Sequence, residues 1–498
     1  MAPLAFFPRL ILLALCLGAQ ASSTQSQCRP ASVHKPRVFV LSDIANEPDD
    51  AQSFVRLMVY ANELRLHGLV ATTSVWLNDT TRPDQIHDIV NAYEASLPNL
   101  KQHATGWPSA DYLRSLVASG LPVYGMDGVG EGKDSSGSEM LVDAVDASDE
   151  PLWVLVWGGA SVLAQALWHA NATRAPAEAE AFASKVRVYA ISDQDNTGAW
   201  IRSHWPGMLY IASVHHFNRY ALAAWSGISG DAYYNSPGGS KATVGLEWIR
   251  ENIQSAGELG SKYPDPEFIA EGDTPSLLYV IPTGLSDPEH PEWGSWGGRY
   301  GPVNYGEGHF ADTVDVMVDD SGRTVMNSQA TIWRWRDAFQ NDFAARMQWG
   351  VKPAFSDANH APVVVVNGDA SRGIVKVITE AGKDVIIDTR ESCDSDGDEL
   401  SFKWWQYFEP SSNNNNPKRD VSALVLDSTS SSKITVSIPP NEVLRKSGRN
   451  AHIEDDKHLH LILEVSDGSL ISYRRILFTI PGQGHHDSSQ EGSSHDEL

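Results

Sequence analysis

Cysteine and positive charge are both scarce in this 498-residue chain. Of its three cysteines, Cys16 falls in an apolar leader, so the rest of the chain keeps Cys28 and Cys393, which could form one disulfide or stay as two free thiols. Lys and Arg number 38 against 63 Asp and Glu, a formal net charge of -25. This charge argues against nucleic acid and anionic membrane surfaces as partners, and favours neutral substrates such as sugars.

Long apolar runs are scarce too, and the one at the N-terminus is typical of a secretory signal. Arg9 precedes the run Leu10 to Leu17, and small residues follow, so we expect a signal peptide over residues 1–21. No later stretch is apolar enough to cross a bilayer.

The last four residues, His495-Asp496-Glu497-Leu498, match the retrieval signal of the endoplasmic reticulum. We therefore expect residence in the lumen of that compartment, with its retrieval receptor as a partner; secretion is the alternative. Asn78 and Asn171 each begin a glycosylation sequon, which is consistent with this route.

The order of predicted elements divides the chain into two domains. Over residues 34–350 short apolar strands alternate with amphipathic helices, which predicts an α/β domain with a mostly parallel sheet. The predicted strands include Arg37 to Leu41, Val123 to Tyr124, Leu152 to Val156 and Leu209 to Ser213. Residues 351–362 form a predicted linker. Over 363–481 strands, the first of them Val363 to Val366, follow one another without helices, which predicts an all-β sandwich. Residues 482–498 form a polar tail that we expect to be disordered.

Four acids crowd the loop after the first strand. Asp43, Glu47, Asp49 and Asp50 lie between the buried run Val38 to Leu41 and a helical pattern, at the strand end where α/β sheets build ligand sites. Oxygen ligands without Cys or His favour Ca²⁺, and less so Mg²⁺. The alternative is that Asp49 and Asp50 only cap the helix, which would leave the other acids unexplained.

Further polar and aromatic residues follow later strands. Asp193, Asp195 and Asn196 come after a strand that ends near Ile191, where a carboxylate and amide set suits hydroxyl-rich ligands. The remaining candidates for substrate binding are Ser74 as a hydroxyl partner, Trp76 and Trp296 as stacking platforms, and Arg299, which could instead neutralise the acids.

These segments carry a resemblance to a known superfamily. The loop Ser42 to Asp50 resembles the acidic fingerprint of nucleoside hydrolases, although the interval from Asp43 to Asp49 is longer than theirs. The chain is most similar to secreted proteins called cellulose-binding, in which a nucleoside-hydrolase-like domain precedes an Ig-like domain. The motifs that carry this likeness are Trp157-Gly158-Gly159, 191–198, Glu271 to Ser276, 296–300 and 394–398.

The resemblance implies a calcium site and a reaction. It suggests Asp43, Asp50, Asp273 and the Trp157 carbonyl as calcium ligands, Asp43 also as the base, and Asp49, with Glu47 nearby, as binders of sugar hydroxyls. Glu271 would be the acid for the leaving group, although the family often uses His.

We therefore expect a Ca²⁺-dependent hydrolase of O- or N-glycosidic bonds that acts on a carbohydrate or glycoconjugate. The alternative is a carbohydrate-binding protein without catalysis.

Overall fold

The computed structural model describes residues 28, 34–215, 217–234, 237–304, 306–411, 423–444 and 456–482, without the side chains of 217 and 218. The predicted signal peptide and the retrieval signal lie outside these residues. In the described part no helix is long and apolar enough to cross a membrane.

The first domain is built on an eight-stranded sheet with the order β3-β2-β1-β4-β5-β6-β8-β7. Every neighbouring pair is parallel except β7 and β8. The strands are β1 Arg37–Ser42, β2 Arg65–Ala71, β3 Val117–Ser119, β4 Leu152–Val156, β5 Val186–Ala190, β6 Leu209–Ala212, β7 Tyr300–Pro302 and β8 His309–Asp312. A hairpin of β9 Asp315–Val318 and β10 Thr324–Asn327 follows.

Helices cover both faces of this sheet. They are α1 Pro48–Tyr60, α2 Pro83–His103, α3 Ala110–Ser115, α4 Ser136–Asp146, α5 Ser161–Thr173, α6 Pro176–Ser184, α7 Thr197–His204, α8 Gly230–Tyr233, α9 Leu246–Ile249, α10 Gly257–Gly260, α11 Thr274–Val280, α12 Ala330–Trp333 and α13 Arg336–Trp349. Along β1, Val38 and Val40 belong to one hydrophobic cluster, and Phe39 and Leu41 to the other. This double burial explains why the central strands are continuously apolar, as parallel sheets require.

The second domain is the predicted β-sandwich. One sheet has the order β11-β17-β16-β13 and the other β12-β15-β14. Its strands are β11 Val375–Ile378, β12 Asp384–Asp388, β13 Ser401–Tyr407, β14 Val425–Leu426, β15 Lys433–Ser437, β16 Lys457–Ser466 and β17 Ile471–Ile480, with short helices α14 Phe408–Ser411 and α15 Asn441–Leu444. Ile387, Trp404 and Phe478 are among the residues of its core.

Several element predictions were wrong in detail. The strand expected at Val123–Tyr124 lies instead at Val117–Ser119, and residues 125–128 form a 3₁₀ turn. The segment Val363 to Val366 makes only isolated bridges. The domain boundaries at 350 and 362 stay predictions.

Covalent and polar contacts join the two domains. Cys28 and Cys393 form a disulfide, which decides between the two alternatives left open by the sequence. Arg475 on β17 is fully buried and donates to the carbonyls of Leu285, Trp293 and Gly294 in the first domain. A buried guanidinium is stable only when its donors are satisfied, so these contacts fix how the domains meet.

Candidate functional site: a buried acid cluster

The loop after β1 turns the four acids toward the carboxyl edge of the sheet. Ser42 ends the strand; its hydroxyl accepts from the amide of Ile44 at 3.1 Å and donates to Asp50 Oδ1 at 2.5 Å. Ala45 has a φ of +91°, a conformation uncommon outside glycine. The long interval between Asp43 and Asp49 therefore forms a tight turn that brings the two carboxylates close to each other.

Three carboxylates meet there. Asp49, Asp50 and Asp273, the residue before α11, offer oxygens that all lie within 4.8 Å of one another. All three residues are at least nine-tenths buried, and Asp273 Oδ2 has no hydrogen-bond partner in the described structure. Buried polar atoms are normally satisfied, so an unpaired carboxylate oxygen in this setting suits a cation ligand.

The electrostatics of the cluster lead to the same conclusion. Burial, followed by repulsion from Glu47 and Asp43, raises the pKa of Asp49 to about 8. Burial and the neighbouring acids hold the pKa values of Asp50 and Asp273 well above the ordinary range. A group of like charges that is buried away from water is stabilised either by protonation or by a bound metal ion. All-oxygen ligands suit a hard divalent cation such as Ca²⁺.

Asp43, which was also predicted to be a ligand, lies beside these three carboxylates. Its carboxylate accepts a hydrogen bond from the Ser74 hydroxyl, and burial raises its pKa to about 6. The backbone at Gly158 approaches so closely that a Cβ there would be 2.7 Å from Asp43 Oδ1. Only glycine fits this position, which explains part of the Gly158-Gly159 turn.

The Trp157 carbonyl, predicted as a calcium ligand, has a hydrogen-bond partner in the structure. It accepts a hydrogen bond from the side-chain amide of Gln194, a residue to which the sequence assigned no role. The Trp157 indole donates to Ser276 at 2.7 Å, and Ser276 donates to the Asp273 carbonyl at 2.8 Å. Trp157 thus supports the loop that carries Asp273.

The loop after β5 contributes one free oxygen. Asp193, predicted to bind substrate, makes two hydrogen bonds with Arg202 at 2.8 and 2.6 Å. Asn196 Oδ1 accepts from the Met126 amide, so these oxygens bind protein. Asp195 is buried; its Oδ1 accepts from the Thr197 amide at 2.8 Å, and its Oδ2 has no partner in the described residues.

Glu271 is not placed to act as the acid of the reaction. Both of its oxygens bind the Arg56 guanidinium, at 2.8 and 2.5 Å, and both residues are buried. Its own amide donates to Gln52, and its φ is +58°. Because both oxygens pair with the guanidinium, the Glu271 carboxylate is held as the partner of Arg56 and is not placed to give a proton to a leaving group.

Trp296 and Arg299 also lie away from the acids. The Trp296 ring is 5% exposed and packs against Tyr473 of the sandwich at 6.4 Å, so it offers no face for a sugar. Arg299 donates to Asp315 at 2.8 Å and to the Val314 carbonyl at 2.6 Å. Both residues, which were predicted to contact substrate, lie at the boundary between the domains.

Trp76 is the accessible aromatic residue among the predictions. It is 46% exposed, and its amide and that of Leu77 donate to Ser74 Oγ at 3.0 and 3.1 Å, so the turn is tied to the residue that holds Asp43. Its ring meets Tyr220 edge to face at 6.4 Å.

Three aromatic residues near the acids were missed. Tyr220 lies after β6 and packs against Trp225, whose indole donates to Ser192 at the end of β5. Burial, and then Asp49, raises the pKa of Tyr234. Their position after a predicted strand was the signal that could have identified them.

Glu47 is half-buried beside the cluster. It occupies the N-cap position of α1 without capping it, and burial and Glu267 raise its pKa.

A cavity of about 1110 Å³ lies away from the acids, at the domain boundary, with Tyr60, His103 and Trp349 in its wall and none of the clustered acids. Cys28 and Lys35 also line it, and the residues that connect them are mostly outside the described structure, so this cavity supports no site.

Two family models match the chain. Residues 37–300 match the nucleoside hydrolase-like domain of cellulose-binding Sde182, and residues 384–480 match the C-terminal domain of cellulose-binding protein Sde0182. The chain belongs to the Sde182 nucleoside hydrolase-like family. The predicted resemblance and the predicted fold class are thereby confirmed.

A solved structure extends this family match to nearly the whole chain. A nucleoside hydrolase-related protein of Saccharophagus degradans, described as associated with carbohydrate metabolism, is 33% identical, with coverage of 90% of this chain and 100% of that one and a TM-score of 0.73. An inosine-uridine preferring nucleoside hydrolase of Bacillus anthracis is 13% identical over 64% of this chain and 100% of that one, with a TM-score of 0.32. No curated protein matches.

Proposed function

We propose that this member of the Sde182 family hydrolyses a glycosidic bond of a carbohydrate or glycoconjugate with the help of bound calcium. The observation that carries the proposal is the buried group of Asp49, Asp50 and Asp273 with Asp43 beside it. The repulsion among four buried carboxylates opposes folding unless a cation offsets it, which supports a bound metal ion beside a candidate base.

The residues present fit a divalent cation. Asp49, Asp50 and Asp273 would hold it, and the unpaired Oδ2 of Asp273 is a ready ligand. When bound, calcium would supply positive charge that lowers the pKa of a neighbouring water.

Asp43 is the proposed general base. It would take the proton of the attacking water, since it is buried beside the cluster and carries no cationic partner among the described residues. The Ser74 hydroxyl would fix the orientation of its carboxylate. The free oxygen of Asp195 would accept from a sugar hydroxyl, and the Trp76 ring would stack on the apolar face of the sugar.

Binding without catalysis is the second candidate function. The family description names cellulose binding, and the exposed Trp76 suits contact with a sugar ring in either case. Under this hypothesis Asp43 would be dispensable for sugar affinity and no hydrolysis would be measured.

We also propose a location. The leader over residues 1–21 and the final His495-Asp496-Glu497-Leu498 support synthesis into the secretory pathway and retrieval to the lumen of the endoplasmic reticulum.

The deciding experiment compares wild type, Asp43→Asn and the exposed control Asp127→Asn on aryl glycosides and nucleosides, with calcium and with EDTA. We expect Asp43→Asn to lose about 10²- to 10⁴-fold in kcat while sugar binding persists, because Asn keeps the shape but accepts no proton. Asp127→Asn should match wild type. Near-normal turnover by Asp43→Asn would exclude it as the base. Sugar binding by the wild type without hydrolysis of any substrate would assign the protein to the binding class.

A further inference from the structure

We propose that Asn78 carries an N-linked glycan at the edge of the acid site, that Asn171 carries none, and that this glycan limits the site to soluble glycosides. The proposal rests on the luminal location and the site proposed above. It adds which sequon is used and which class of substrate the protein admits.

The sequon at Asn78 is open to modification. Asn78 and Asp79 are exposed and lie in the loop between β2 and α2, outside any helix or strand. In the described part of the chain Asn78, Asp79 and Thr80 make no hydrogen bond, whereas the turn just before them is closed by the Ser74 amide donating to the Leu77 carbonyl at 3.0 Å. A sequon in a surface loop is the usual glycosylation acceptor.

The sequon at Asn171 differs because it lies in a helix and its hydroxyl is hydrogen-bonded. Asn171 is exposed too, but it lies in the last turn of α5, Ser161–Thr173. The Thr173 hydroxyl, which the sequon requires, donates to the His169 carbonyl at 2.7 Å. This back-bonding keeps the hydroxyl on the helix surface and away from the Asn171 amide.

The modification needs one co-reactant, an oligosaccharide carried on a lipid pyrophosphate. The Asn78 amide nitrogen forms a bond to the anomeric carbon of the oligosaccharide. The bond from that carbon to the pyrophosphate oxygen breaks, the lipid pyrophosphate leaves with the electron pair, and the amide proton passes to a base of the transferase.

A glycan at this place would shield the site. Trp76 lies two residues before Asn78 and has an exposed ring, and Ser74, in the same turn, contacts Asp43. A branched, hydrated oligosaccharide beside this ring would hold a broad polymer surface away. A soluble glycoside would still reach the acids, since it needs only the space of its own rings.

The first test uses the full chain with its own leader, expressed in a eukaryotic secretory host. Wild type, Asn78→Gln, Thr80→Ala and Asn171→Gln are compared before and after peptide N-glycosidase, by gel mobility and intact mass. We expect wild type and Asn171→Gln to lose the mass of one glycan, and Asn78→Gln and Thr80→Ala to lose none. A glycan that persists in Asn78→Gln, or an unmodified wild type, would overturn the proposal.

The second test needs no turnover and so separates this proposal from the proposed hydrolysis. Sedimentation with microcrystalline cellulose should capture several-fold more Asn78→Gln than wild type, while Asn171→Gln should behave as wild type. Equal capture of all three would refute the shielding. Protease protection of microsomes reports on the location: an accessible, unglycosylated protein would reject the luminal assignment together with the glycan.

Discussion

Removing calcium should make the stability of this protein fall as the pH rises. The acids of the cluster have pKa values raised by burial, to about 6 for Asp43 and about 8 for Asp49. Well below the ordinary Asp value of 3.8 each is protonated in the folded and the unfolded chain, so the stabilising difference is fully present. As the pH rises toward 8 the unfolded chain ionises freely while the folded one must bury charge, and that difference is lost.

The magnitude follows from the raised pKa values. For Asp43 the change from 3.8 to about 6 corresponds to about 3 kcal/mol, at about 1.4 kcal/mol per pH unit. At roughly 2–4 °C per kcal/mol for a domain of this order of size, Asp43 alone would lower the Tm by about 6 °C or more. Calcium that binds only the folded state would restore about 2.7 kcal/mol at a concentration near 100 times its Kd.

The assay is differential scanning calorimetry at pH 5 and pH 8, each in calcium and in EDTA. We expect EDTA to lower the Tm at pH 8 and to have little effect at pH 5. Asp394, Asp396 and Asp398 form a second, more exposed acidic group in the sandwich, so Asp398→Asn serves as the matched control for Asp273→Asn. Asp273→Asn should lose the calcium response and Asp398→Asn should keep it.

Two results would refute this reasoning. A Tm at pH 8 that is the same in calcium and in EDTA would show that no cation offsets the buried charges. A response lost in Asp398→Asn and kept in Asp273→Asn would move calcium binding to the sandwich.

Two further predictions concern residues outside the cluster. Glu271→Gln should destabilise the protein by about 3–5 kcal/mol, in calcium and in EDTA alike, because it leaves the Arg56 charge buried without its partner; urea unfolding measures this, and a wild-type midpoint would contradict it. Deletion of His495 to Leu498 should release the protein into the medium with unchanged activity, because the signal is an address read by a receptor; equal secretion of both forms, measured by immunoblot, would show that the motif is silent.

The central part of the fold was predictable because it is encoded locally. The strand β4 falls where its apolar run predicts, and β1 extends the prediction by one residue, because strands buried on both faces need continuous apolar residues. Parallel strands end at one edge of the sheet, so the acids after β1 could be placed at a site without any knowledge of the structure. Short edge elements such as β3, with three residues, depend on tertiary pairing and were misplaced.

The roles of individual acids were less predictable, because a carboxylate takes its function from partners that are distant in sequence. Glu271 and Arg56 are 215 positions apart, and nothing near either residue indicates their pairing. Asp193 forms an ion pair with Arg202, which is only nine positions away on the following helix. Inspection of the sequence could have identified a pair at this spacing. The cluster of Asp49, Asp50 and Asp273 differs from these ion pairs, because its acids are buried and have no cationic partner in the part of the chain that the structure describes.

The second domain is tied to the acid site through a continuous series of contacts. Tyr473 of β17 packs against Trp296, which packs against Phe339, each at 6.4 Å. The Phe339 carbonyl accepts from Arg56 at 3.1 Å, and Arg56 holds Glu271 in the loop that presents the third carboxylate of the cluster. An acid at position 271 is therefore needed even though it donates no proton, because it binds a strained, buried loop to the Arg56 guanidinium on α1. Without the sandwich, Trp296 would lose its partner and this support would weaken, so the site belongs to the two domains together.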